Sequence, residues 1–145
     1  MNYRNEAIQK LREYRAKKNS LKTIPEEVKR LELEFDAIKC ALGISGRITT
    51  GSDVDNRLIS NIARREELMH TLRITELFTK TVEDALAFLD DEELRIISAM
   101  YIDPVPNAVD RLRESLCLEQ AAIYNRRNQA LRKFTLAFYG MTESV

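Results

Sequence analysis

A seven-residue apolar repeat dominates the first third of the chain. Ala7, Tyr14, Leu21, Val28, Phe35 and Leu42 recur at one heptad position, and Ile24, Leu31 and Ile38 fill the complementary one. Such a seam makes one helix lie along another. It predicts a helix over roughly residues 2–42 whose apolar stripe needs a partner. The first half is weaker, because Lys10 and Lys17 stand at complementary positions. The stretch "KKNSLKTIPEE" also carries Pro25, with Thr23 and Glu26 at capping-box spacing, and predicts a kink or short break near residues 19–24.

"GISGRITTGSD", residues 43–53, holds three of the four glycines and reads as a linker. A second helix is expected from Ser52 or Asp53 to about Leu89. Leu58, Ile62, Met69 and Leu72 form its early stripe, and Thr79, Val82, Leu86 and Leu89 a later one. The short linker returns it antiparallel to the first, as a coiled-coil-like hairpin over residues 1–89. No stretch alternates apolar and polar residues long enough for a strand, so the fold class is all-α. Residues 90–140 form a second region, and residues 141–145 a tail. In that region Asp90 is a candidate N-cap with Glu93 three residues later. Leu94, Ile97 and Met100 or Tyr101 face one side, and Pro104 and Pro106 stop the helix. A short helix from about Asn107 to Leu116 and a final one from about Leu118 to Phe138 complete the expectation.

The formal charge is zero, but residues 104–140 carry six cations against three carboxylates, a mild sign of a polyanionic partner. "LCLEQAAIYNRRNQALRKF", residues 116–134, concentrates that charge. Together with the preceding helix it fits a helix-turn-helix. Val109, Leu112, Leu116, Leu118, Ile123, Ala130, Leu131 and Phe134 would lie inside. Gln120, Ala121, Tyr124 and Asn125 would face outward near the start of the second helix, with Tyr124 open between contact and packing. Gln and Asn can pair with adenine edges, while Arg126, Arg127, Arg132 and Lys133 suit phosphate or guanine. A charged, solvated helix face would give the same pattern.

The spacing of Leu112, Leu116, Leu118, Ile123, Arg126, Ala130, Leu131, Lys133 and Phe134 resembles the C-terminal helix-turn-helix of bacterial sigma factors, which recognises the promoter −35 element. "IYNRRNQALRKF" with "LDDEELRIISAMYID" is closer to small phage and prophage proteins of Gram-positive bacteria. These are the ArpU-like and RinA-like transcriptional regulators and related uncharacterised streptococcal phage proteins. "AIQKLREYRAKKNS" and the linker before "SDVDNRLISNIARREEL" extend the resemblance over most of the chain. The chain departs from the sigma pattern at Arg113, where a small residue is usual, and at Cys117, usually Gly. It departs again at Glu119, usually a Ser or Thr cap, and at Arg127, usually Leu.

The resemblance implies a phage- or prophage-encoded DNA-binding transcriptional regulator, sigma-factor-like only in this last part. Double-stranded DNA is the expected partner; a contact with RNA polymerase stays open, and a homodimer through residues 20–90 is expected. Two other readings are a packaging or assembly protein of the small-terminase kind and a coiled-coil adaptor that binds no DNA. No enzyme, cofactor or metal site is expected: His70 stands alone, Cys40 and Cys117 form no paired motif and read as reduced structural thiols, and residues 90–93 read as helix capping. The charged N-terminus and the lack of a long apolar run predict a soluble protein of the bacterial cytoplasm, without membrane contact.

Overall fold

The structure, a computed structural model, describes residues 2–45 and 52–141. Every regular element among them is helical. The order is α1 (Tyr3–Ser45), α2 (Ser52–Leu86), α3 (Asp91–Ile97), a π-helical turn (Ser98–Ile102), α4 (Ala108–Leu116) and α5 (Gln120–Tyr139). Most of the linker expected at residues 43–53 lies outside the described residues; residues 43–45 continue α1, and Ser52 opens α2.

Helix α1 differs from expectation at residues 19–24, where it continues unbroken with Pro25 inside. Proline removes one backbone donor and so deprives the Leu21 carbonyl of its partner. Helix on both sides, carrying a packed seam, holds that turn. The Thr23–Glu26 capping box does not form; the Thr23 hydroxyl donates to the Ser20 carbonyl at 3.5 Å instead.

Packing divides the chain into two units, residues 18–76 and the combination of residues 1–17 with 77–145. The expected boundary at residue 90 thus differs from the division made by contacts, because the first four turns of α1 belong with the C-terminal helices.

In the unit of residues 18–76, α1 and α2 run antiparallel. Ile24, Val28 and Leu72 are buried together, with Leu21 and Leu68 against them. Farther along, buried Asn61 donates from Nδ2 to the Leu31 carbonyl at 2.9 Å and accepts from Arg65 Nε at 2.9 Å. The Arg65 guanidinium lies 5.0 Å from the Phe35 ring centre. An asparagine at a seam position fixes register, since any slip strands its amide. Of the stripes expected on α2, Leu72, Thr79 and Val82 are buried and Leu58, Leu86 and Leu89 half-buried, whereas Ile62 and Met69 are exposed. Polar Asn61 and Thr75 are buried on the inner face as well, and counting apolar residues missed them.

In the other unit, Ala7, Leu11 and Tyr14 of α1 meet Val82 and Ala85 of α2, Ile97, Tyr101 and Ile102, and Ala130, Leu131 and Phe134 of α5. The Tyr14 hydroxyl donates to Glu83 Oε1 at 2.6 Å. The two lysines at seam positions do not break the packing: the ammonium groups of Lys10 and Lys17 lie 5.8 and 4.2 Å from the Phe78 ring centre. Their stems cover apolar surface while the charge sits on the ring face. Arg15 binds Asp103 through two 2.9 Å hydrogen bonds.

A second cluster joins Ile96, Leu112 and Ile123, with Ala99, Met100, Val109, Leu116 and Leu118 around them. Helix α3 and the π turn form a wedge between the two clusters. Ile96 faces one and Ile97 the other, and both are completely buried. Leu94, expected inside, is exposed. Ile97 and Tyr101, expected on the same side, are buried together with Met100 against them.

Candidate nucleic-acid interface

The basic C-terminal region is built around α5, and its placement starts with a cap. Asp90 accepts from the Glu93 amide at 2.8 Å, and Glu93 Oε1 accepts from the Asp90 amide at 3.2 Å, a complete capping box as the spacing predicts. The hydrogen bond from the Glu93 amide holds the Asp90 carboxyl below its ordinary pKa.

Helix α4 and helix α5 are joined by residues 117–119. Cys117 closes α4 with φ 55° and ψ 41°, a left-handed conformation that favours glycine. Glu119 stands at the N-cap of α5, but its side chain makes no capping hydrogen bond. At the far end Gly140, with φ 76°, donates its amide to the Leu136 carbonyl at 2.8 Å and stops the helix. Arg95 of α3 hydrogen-bonds Ser115 of α4 and ties the two together.

Ile123, Ala130, Leu131 and Phe134 are buried as expected, and Leu112 with them. Val109, Leu116 and Leu118 are half-buried at the edge of the same core. Ala130, with no exposed surface, packs in the cluster that brings α1 and α2 to α5. This fixes which face of α5 is left outside.

On that face Gln120, Ala121 and Asn125 are exposed, and Tyr124 is half-buried. Gln120, Ala121 and Tyr124 line a shallow open hollow with Arg113 and Glu119. The Arg127 guanidinium lies 4.9 Å from the Tyr124 ring centre, so this tyrosine is a platform for a cation.

The four basic residues do not share one environment. Arg126 is half-buried with Nη1 3.3 Å from Glu92 Oε1, and Lys133 donates from Nζ to Glu93 Oε1 at 2.7 Å. Both cations face carboxylates of α3, and Lys133 meets one that is almost fully buried. Glu93 Oε2 is buried with no hydrogen-bond partner among the described residues. Arg127 and Arg132 meet no carboxylate among the described residues, and Arg132 is exposed. The site thus keeps its amides and two arginines outward, while the other two cations dock α5 onto α3.

Two neighbours escaped the sequence reading. Asn128 lies on the same row as Tyr124 and Arg132, four residues from each. Arg4 of α1 reaches it, donating from Nη2 to Asn128 Oδ1 at 2.8 Å. Nothing in local spacing marks a residue more than a hundred positions away.

The cysteines expected to be structural, Cys40 and Cys117, are both free and exposed, and His70 is exposed as well. No helix among the described residues is long and apolar enough to cross a membrane. Comparison with protein-family models, with curated proteins and with solved structures finds no match to the chain.

Proposed function

We propose that the protein is a DNA-binding transcriptional regulator of phage or prophage origin, of the ArpU-like and RinA-like kind, which reads duplex DNA with α4 and α5 as a helix-turn-helix. One observation carries this reading: a three-residue turn joins α4 to α5, and one face of the first two turns of α5 looks outward with Gln120, Ala121 and Asn125 exposed and Tyr124 half-buried. Those are the residue types and the helix position from which base edges in a major groove are reached. Arg127 and Arg132 then serve the phosphate backbone. Arg126 and Lys133 serve it only in competition with Glu92 and Glu93. No chemistry is asked of the site; its work is recognition, in the bacterial cytoplasm.

The expected homodimer needs a different surface from the one the heptads suggest. Within residues 18–76 the α1 stripe faces α2, and the outward apolar side chains are Leu33, Ile59 and Ile74, with Ile62 and Met69 beside them. Association through these would bring two reading helices to half-sites a helical turn or a multiple apart. A monomer by light scattering at roughly tens of micromolar, where a weak interface is populated, removes the dimer from the proposal.

A second reading draws on the two ion pairs to α3, which halve the cations free on α5: a coiled-coil adaptor whose C-terminal region binds protein. Immunoprecipitation of DNA across the host and phage genomes separates the two. Enrichment at a few sites upstream of phage genes supports the regulator, and uniform background supports the adaptor.

A further inference from the structure

Two guanidinium groups converge on one neutral atom. Asn128 Oδ1 accepts from Arg4 Nη2 at 2.8 Å and from Arg127 Nε and Nη2 at 3.3 and 3.1 Å. All three residues belong to the same packed unit. Neither arginine has a carboxylate partner among the described residues, and Arg4 is exposed while Arg127 is half-buried. Several other cations of this protein do have carboxylate partners: Arg15 with Asp103, Arg30 with Glu27 and Glu34, Lys80 with Asp84. Like charges held side by side on an amide oxygen lack the counter-charge that normally offsets their repulsion.

Each guanidinium has a partner: Arg127 lies over Tyr124, and Arg4 donates to Asn128 Oδ1 from the first turn of α1. A pair of planar forks with several unused N–H donors matches the oxygens of a phosphate, to which each arm can donate twice. The amide oxygen is a weak stand-in for that ligand, since it can accept but carries no charge.

We propose that Arg4 and Arg127 form a two-armed clamp for a phosphate oxyanion, with the backbone of duplex DNA as its source. The start of α1 then belongs to the DNA-contacting surface. This rests on the DNA-binding reading of α5 and extends it. Asn128 lies one turn past Tyr124, so the clamp would grip the strand just beyond the bases that Gln120 and Asn125 face, and Arg132 one turn further would follow the same strand.

Two measurements on the full chain test the clamp, using the parent, Arg4→Ala, Arg127→Ala and the double variant. In the first, each is titrated with a random-sequence duplex over a range of KCl concentrations. Each single variant is expected to lose roughly tenfold in affinity at low salt, the scale of one charge-assisted contact. The double variant is expected to lose little more than the worse single one, because half a clamp holds a phosphate poorly. Parental affinity in Arg4→Ala, or losses that multiply, would overturn the clamp. In the second, the Arg127 Nε–H resonance is followed as inorganic phosphate replaces chloride at constant ionic strength. A shift in the parent that Arg4→Ala abolishes supports the clamp. If the parent ignores the duplex and still shows that shift, the phosphate comes from another source and the DNA reading of α5 falls alone. If phosphate moves the resonance equally with and without Arg4, the clamp is wrong.

Discussion

Lys133 Nζ lies 2.7 Å from Oε1 of Glu93, a carboxylate whose side chain is only 2 % exposed, and it is the cation that makes burial of that charge tolerable. Its position on α5, one residue past Arg132, gives it the look of a phosphate contact. Its partner gives it another task, because an ionised carboxylate buried without a counter-charge costs several kcal/mol. Lys133→Ala is therefore expected to destabilise the protein by about 2–3 kcal/mol, short of the 3–5 kcal/mol of a fully buried pair because Lys133 itself is half exposed. Glu93→Gln is expected to soften the effect of the lysine loss, since no charge is then stranded. Urea denaturation of the single and double variants checks this. Additive losses would show that the two side chains act independently.

The turn between α4 and α5 is held by two residues that suit it poorly. Cys117 adopts a left-handed conformation, which costs a residue with a Cβ about 1 kcal/mol relative to glycine. Glu119 occupies a cap position without capping. Cys117→Gly is expected to stabilise the fold by about 0.5–1 kcal/mol, the gain being trimmed by the greater freedom of glycine in the unfolded chain. Glu119→Ser is expected to add about 1 kcal/mol by supplying the missing acceptor. It also removes a negative charge from the hollow beside Tyr124 and should tighten DNA binding. Thermal melts of both variants read the first effect, and duplex titration reads the second. A lower melting temperature for Cys117→Gly would mean that the backbone here is not held left-handed.

The sequence pattern made much of this architecture legible, and its failures share a cause. The seam of α1, the start of α2 near Ser52, the Asp90–Glu93 cap and the inward residues of α5 follow from periodicity and capping chemistry, which are local. On α2 only Ile62 and Met69 were placed on the wrong side, and buried Asn61 and Thr75 were missed because apolar residues were sought. Of the side expected for Leu94, Ile97 and Met100 or Tyr101, only Leu94 turned out exposed. The continuity through Pro25 was missed because local propensity yields to packing on either side. Leu11 carries no heptad signal, yet it is fully buried because the C-terminal helices approach α1 from a second side. The candidate interface shows the same division. Gln120 and Asn125 could be placed outward from helix geometry alone, whereas the partners of Arg126, Lys133 and Asn128 come from residues far away in sequence.

Burial, with the hydrogen bond to Glu83 adding to it, pushes the Tyr14 hydroxyl up to about 12. A tyrosine raised in the folded state contributes stability that is complete below its unfolded value near 10 and is lost as pH rises through the folded value. The protein is therefore expected to lose about 2 kcal/mol between pH 10 and 12 through this residue. Tyr14→Phe should be less stable at neutral pH, where the hydrogen bond is missing, and should lose less between pH 10 and 12. Denaturation midpoints across that range for both proteins check the prediction. Parallel pH profiles would assign the alkaline loss to other groups.

The central claim is that the first turns of α5 read bases while its arginines hold phosphates. The most direct test compares the parent with Asn125→Ala and Arg127→Ala, each shown to be folded, on a selected operator and on random duplex at two salt concentrations. Asn125→Ala is expected to lose about 1–3 kcal/mol on the operator alone, with its salt dependence unchanged. Arg127→Ala is expected to weaken both duplexes alike and to lower the salt slope by roughly one. If both folded variants bind operator and random DNA as the parent does, α5 is not the helix that reads DNA.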